Sequence, residues 1–217
     1  MEQTLTRPPT EAESRVPARW VLPNLALRSL EATWDRNTWA LLPDDGNRYE
    51  VIDGVLYMTT APSSFHQWIV FQIGRMLGEQ INDANVGVTF PAPIGVFMPG
   101  CDPVQPDLVV VRRADLGIVH DRHIYGVPAL VVEVLSPSNA DVDTGTKRGA
   151  YARCGVPEYW IVRPASRDLL VLSQADRQLS DYLESTHVPP DGDLHSPTLP
   201  IHTPIARFFA GAPDTSL

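Results

Sequence analysis

The sequence is short of lysine, of cysteine and of long apolar runs, and each shortage removes a class of reading. Of its seventeen basic residues all but one are arginine, so Lys147 is the chain's only lysine. Against them stand twenty-six acidic residues, for a net charge of −9. That balance argues against the basic surface from which high-affinity, sequence-independent nucleic-acid binders draw much of their affinity. It leaves room for a nuclease, because a carboxylate cluster gains its use from a cation. The two cysteines, Cys101 and Cys154, form no CxxC pair and read as reduced packing thiols rather than a disulfide framework. No apolar stretch approaches the ~20 residues needed to span a bilayer. The N-terminus lacks the basic-then-apolar order of a secretory signal. The expectation is a cytoplasmic protein without a membrane partner. A GxSxG elbow, a zinc finger, a basic recognition helix and internal repeats are all missing.

What is present is ordinary globular material: 217 residues, 43% hydrophobic and 20% charged. Residues 1–25, rich in Pro, Thr, Glu and Arg, read as a flexible arm. One domain is expected over 26–210, followed by a short tail, 211–217. Residues 29–42 suggest a helix with Leu30, Trp34 and Leu41 turned inward. The run 49–58, two β-rich stretches around Asp53-Gly54, predicts a hairpin. A helix capped by Ser63 or Ser64 should run to about Ile81, with Phe65, Ile69, Ile73, Met76, Leu77 and Ile81 on one face. Residues 87–98 read as one long strand or an interrupted pair, placed at an edge or bulge by Pro91 and Pro93. The stretches 107–111 and 129–135 are short, nearly continuous apolar strands of the kind covered on both faces. A helix is expected over 143–153, stopped by Gly155, then strands at 158–163, 168–173 and near 178–184. In the Pro-rich end, Leu199, Ile201, Ile205, Phe208 and Phe209 are apolar enough to dock. The order predicts an α/β fold, a mixed sheet flanked by helices on both faces.

The chemistry is carried by two acids in strands that otherwise want only Val, Leu and Ile. Asp107 opens one strand and Glu133 lies inside the next, and a buried acid is costly unless paired or metal-bound. Singly, each has a bland reading: Asp107 as a turn cap after Pro106, Glu133 as the partner of an arginine. Together they suggest a site where a hard divalent cation relieves carboxylate repulsion. Lys147 lies early in the following helix, one turn before Tyr151, on the same face. If that helix packs beside the second strand, the lysine reaches the acid pair. Tyr151 reads either as a core aromatic or as a substrate contact. Arg148 points about 100° away and reads as a surface group or a contact to a substrate backbone.

Taken together, Tyr49-Glu50-Val51-Ile52-Asp53-Gly54, His66, Gln105-Pro106-Asp107, Val132 to Ser138, Lys147 with Tyr151, and Gly155-Val156-Pro157-Glu158-Tyr159-Trp160 resemble the Uma-type endonuclease family of the PD-(D/E)XK superfamily. The likeness covers roughly residues 30–210. It implies a restriction-endonuclease-like core in which Asp107 matches the PD aspartate and Glu133 the acid of the (D/E)XK motif. The pattern departs at Leu135, where a lysine would stand. The resemblance places that lysine on the following helix, at Lys147. It further implies an upstream acid at Glu50 and a family-typical residue at His66, which could contact phosphate or hold Glu50.

The function expected is metal-dependent phosphodiester hydrolysis of nucleic acid, with DNA favoured. Asp107, Glu133 and the main-chain carbonyl of Val134 would hold Mg2+ or Mn2+, with Lys147 and Glu50 as further catalytic groups. A homodimer is a candidate assembly by analogy with nucleases that pair to cut both strands. The rival reading keeps the fold and the acids as a binding or regulatory module without catalysis. A glycosidase fits less well, because no aromatic-rich sugar groove surrounds the acids.

Overall fold

The computed structural model describes residues 33–43, 47–59, 61–136 and 140–212. The expected arm at 1–25, the first part of the helix expected at 29–42 and the end of the tail lie outside them.

Within 33–42 only α1 (Arg36–Trp39) is helical. Asp35 stops the helix from starting earlier. Its carboxylate accepts from the Asn37 and Thr38 amides at 2.9 Å while its own amide donates to Thr38 Oγ1, a reciprocal cap. Ahead of it Trp34 donates its amide to the Gly54 carbonyl at 2.8 Å. Leu41 does not turn inward; it is 84% exposed.

The expected hairpin is β1 (Arg48–Ile52) paired with β2 (Val55–Thr59). Asp53 and Gly54 both take positive φ, 51° and 77°, as a two-residue turn matched to strand twist requires. Ser63 caps α2 (Ser64–Leu77), which runs on into a wide π turn at Gly78–Asn82. Residues 87–98 form the interrupted pair: β3 (Gly87–Pro91) is the edge of one sheet, and β4 (Gly95–Met98) lies inside another. There follow β5 (Cys101–Val104), β6 (Leu108–Arg112), a 3-10 turn, β7 (His123–Tyr125) and β8 (Leu130–Val134). A π turn at Val142–Lys147 leads into α3 (Arg148–Cys154), ended by Gly155 in the left-handed region at φ 84°. The chain closes with β9 (Glu158–Arg163), β10 (Asp168–Asp176), β11 (Asp181–Val188), β12 (Asp193–His195), β13 (His202–Pro204) and α4 (Ala206–Phe209).

The strands divide between two main sheets. One has the order β2-β1-β5-β4-β7, the other β11-β10-β9-β8-β6-β3, with β12-β13 as a separate ribbon. In the larger sheet β8 and β9 are parallel and the other pairs antiparallel. Alternation sends Leu108, Val110, Leu130, Val132, Trp160 and Val162 to the side of α2 and the C-terminal segment. It sends Val109, Val111, Val131, Tyr159 and Ile161 to the opposite side, where α3 and the smaller sheet pack. Both faces are therefore covered, as the unbroken apolar runs predict. Leu199, Ile201, Ile205, Phe208 and Phe209 are all buried in the first of these cores. No helix among the described residues is long and apolar enough to cross a membrane.

Candidate active site

The same alternation decides where the acids point. Leu108 pairs with Val132 across β6 and β8, so Asp107 and Glu133 stand one step further along that register. Both have the parity of Val109 and Val131, which places them on the α3 side. A direct bond joins them to one corner: the Val134 amide donates to Asp107 Oδ2 at 2.8 Å. β1 brings Glu50 from the smaller sheet, held by the Gln105 amide donating to Glu50 Oε1 at 2.7 Å.

The fourth wall comes from the segment that opens α3. Lys147 is 3% exposed, and its Nζ lies 2.9 Å from Glu133 Oε1, 3.0 Å from Glu50 Oε2 and 3.2 Å from Asp143 Oδ1. The spacing of four from Asp143 to Lys147 to Tyr151 keeps all three on one side of the π turn and helix. Tyr151, completely buried, donates its hydroxyl to Glu133 Oε1 at 3.0 Å. Asp143 is fixed through its carbonyl, which accepts from the Tyr159 hydroxyl at 3.0 Å. On the other flank Asp107 meets two nitrogen donors. Arg48 donates to Oδ1 at 3.0 Å, and His66 Nε2 lies 3.2 Å from Oδ2. Arg48 also donates to the Gln105 carbonyl. Of these groups Arg48, Glu50, His66, Asp107, Glu133, Asp143 and Lys147 line a cleft of about 350 Å³.

Burial and charge pull these groups in different directions. Burial pushes the Asp107 carboxyl up, but the hydrogen bond from His66, the Arg48 charge and the Val134 amide outweigh it and bring it down to about 2. Burial pushes Glu133 up to about 8; Lys147 pulls it back, while Asp143, Asp107 and Glu50 add to the rise. Asp143 is raised by burial in the same way, against the pull of Lys147. Burial works to discharge Lys147, yet Glu133, Glu50 and Asp143 more than compensate, so the ammonium is held well above its ordinary range. Four carboxyl groups thus share two permanent cations, and the crowding is what raises Glu133 and Asp143. The donor set is made of hard oxygens, the kind that suits Mg2+ or Mn2+. Among the described residues no three acid, histidine or cysteine side chains stand ready-made around one point, and the Lys147 ammonium lies within 3.2 Å of Glu50, Glu133 and Asp143.

Of the residues anticipated from sequence, Asp107, Glu133, Val134, Glu50, His66 and Lys147 converge on the cleft. Tyr151 reaches the site from behind, through Glu133. Arg148 does not line the cleft; its Nε donates to Asp181 Oδ1 at 2.6 Å. Two members were missed. Asp143 was read only as a helix start, although its spacing of four from the sole lysine was a signal. Arg48, one of sixteen arginines, carries no local mark; its contact with Asp107 spans 59 positions of sequence.

No curated protein matches the chain. Among solved structures, a protein from Anabaena variabilis ATCC 29413 described as "a putative nuclease belonging to DUF820" is similar at a TM-score of 0.69. The match covers 81% of this chain and 97% of that one, with 15% of residues identical. At that identity the likeness shows the fold, which is restriction-endonuclease-like. The family model Uma2, described as "Putative restriction endonuclease", matches residues 37–203, well over half the sequence, so the chain belongs to that family.

Proposed function

We propose that the protein is a metal-dependent endonuclease that hydrolyses phosphodiester bonds in nucleic acid, with DNA the favoured substrate. The observation that carries this reading is the position of Lys147. The chain's only lysine is buried within 3.2 Å of three carboxylates at the wall of a cleft, on the α3 side of the strands that hold Asp107 and Glu133. Asp107, Glu133 and the Val134 carbonyl would hold Mg2+ or Mn2+. Such an ion, when bound, polarises a phosphoryl oxygen and makes its water a stronger acid. Lys147 supplies a fixed positive charge where the phosphate gains negative charge, its three donors being held by Glu50, Glu133 and Asp143. Glu50 and Asp143 hold that ammonium in place. Tyr151 keeps Glu133 Oε1 oriented, and Arg48 with His66 fixes Asp107 as a carboxylate. His66 can also contact the phosphate. The nuclease unit is proposed to be the single domain over 26–210, working in the cytoplasm, with a homodimer as the assembly that would cut both strands.

Supercoiled plasmid is the direct substrate for a test. Wild type should nick it with Mg2+ or Mn2+ and not with chelator, while Asp107→Ala should leave it intact. Equal nicking by the two proteins would sink the assignment. One observation favours a second reading, a metal-binding module without turnover: both Asp107 oxygens and Glu133 Oε1 are already engaged by protein donors. Calorimetric Mn2+ binding with no cleavage of DNA or RNA would select it.

A further inference from the structure

The last ribbon of the chain sets two of its six histidines directly opposite each other. His195 on β12 pairs with His202 on β13, next to the pair Leu194–Thr203. The ladder bonds fix which kind of pair this is. The Ser196 amide donates to the Ile201 carbonyl at 3.0 Å, and the Ile205 amide to the Gly192 carbonyl at 3.1 Å. Bonded pairs alternate with unbonded ones between those two rungs, so His195 and His202 occupy a non-hydrogen-bonded position, where facing side chains stand closest. The outward-turned main chain of His202 is met instead by Gln80, which accepts from its amide at 2.9 Å and donates to its carbonyl at 3.0 Å. Both rings are exposed, while Leu194 and Thr203 on the other face are buried. The imidazoles stack with centroids 4.2 Å apart and planes 17° from parallel.

On an open face, burial of apolar surface gives no reason to pair two rings, and an imidazole carries a lone-pair nitrogen that a phenyl ring lacks. We propose that His195 and His202 form a cross-strand chelate for a borderline transition-metal cation, Zn2+ above all. Zinc binds imidazole at ~2.0–2.1 Å, so two nitrogens on one tetrahedral ion stand roughly 3.3 Å apart. Side chains facing each other from Cβ atoms about 4.5–5.5 Å apart span that gap. The adjustment from the stacked pose falls on χ2 of each ring, a broad torsion. Asp193 shares the face two residues before His195 and adds negative charge, but among the described residues no three-residue ligand set is completed. Water takes the remaining positions.

Imidazole selects zinc, copper and nickel, whereas carboxylate and carbonyl oxygens select Mg2+ and Mn2+. The ribbon and the cleft therefore take different ions, and this site stands whatever chemistry the cleft performs. A bound ion would clamp β12 to β13 and so hold the turn between them, whose Ser196 and Thr198 donate to Glu158.

The test titrates chelator-stripped, full-length protein with ZnCl2 in a calorimeter, in excess Mg2+. Wild type should bind one zinc per chain. His195→Gln and His202→Gln should each weaken that binding by roughly a hundredfold, because the second imidazole closes the chelate intramolecularly. Diethyl pyrocarbonate reads the wild type alone: zinc should shield His195 and His202 from ethoxycarbonylation in a peptide mass map, and leave the exposed His187 reactive. Variants that bind zinc as wild type does, equal labelling of the pair with and without zinc, or displacement of the zinc by Mg2+ would each overturn the proposal. The labelling decides the matter even where a variant does not fold.

Discussion

Two buried glutamates in neighbouring strands of the same sheet have opposite surroundings. Glu158, completely buried at the start of β9, accepts from Trp160 Nε1 at 2.5 Å, from Ser196 Oγ at 2.6 Å, and from the Thr198 hydroxyl and amide at 2.5 and 3.2 Å. All of these donors are neutral, both oxygens are served, and the effect is to pin residues 196–198 to the strand. Glu133, on adjacent β8, shares one oxygen between Lys147 and Tyr151 and has Glu50, Asp107 and Asp143 for company. The first acid is given more donors than it needs. The second sits where acids outnumber cations, which is the balance expected of a site rather than of a clamp. A buried carboxylate reveals its use through the balance of its neighbours, not through its burial.

The largest blow to this contrast should come from Lys147→Met. Removing the ammonium leaves Glu50, Glu133 and Asp143 facing one another, which should cost about 3–5 kcal/mol in urea unfolding. Added Mn2+ should return part of that loss, and plasmid nicking should fall to background. Glu158→Ala should cost less, about 1–3 kcal/mol, by leaving Trp160, Ser196 and Thr198 without their acceptor. Here Mn2+ should restore nothing, and nicking per folded molecule should match wild type. If Mn2+ rescued both variants equally, the distinction between site and clamp would fail.

The smallest effect belongs to Asp168, where Arg163, His187 and Ser166 meet one carboxylate near the surface. Burial pushes this carboxyl up, but those hydrogen bonds outweigh it and hold it below its ordinary 3.8. A folded value below the unfolded one means stability that is present above the ordinary value and lost as pH falls through the folded one. Asp168→Asn should therefore cost about 1 kcal/mol near neutrality. In acid the gap between the two unfolding curves should close.

Much of this was legible in the residues themselves. Glu133 stood out because a strand reading Leu-Val-Val-Glu-Val has one member with no apolar reason to be there. Lys147 stood out because it has no rivals. The parts that escaped are those set by contacts across the chain. Within the described part of the helix foreseen over 29–42, residues 33–35 are not helical: Asp35 caps the turn that follows, and Trp34 is drawn into a bond with Gly54. Arg48 looks like any other arginine until β1 and the start of β6 are brought together. The separation into two sheets is marked locally only by Pro91-Ala92-Pro93, and nothing there says that β4 must cross to other partners. The fully buried Glu158 lay inside a recognised motif, yet its donors Ser196 and Thr198 come from the proline-rich end, where no periodicity announces a contact.

The register of β6 against β8 also bears on how such a domain can diverge. Asp107 and Glu133 share a face only because their positions sum with those of the pairs Leu108–Val132 and Val109–Val131. A single inserted residue in either strand would turn one acid to the α2 side and drive apolar side chains out of both cores at once. The segment 113–129 between those strands carries β7 in the smaller sheet, but its exposed turn at Asp121 and Arg122 bears no such constraint on its length. Descendants of this sequence are thus free to grow or shed loops there, while the spacing within each strand is inherited whole or lost together with the fold.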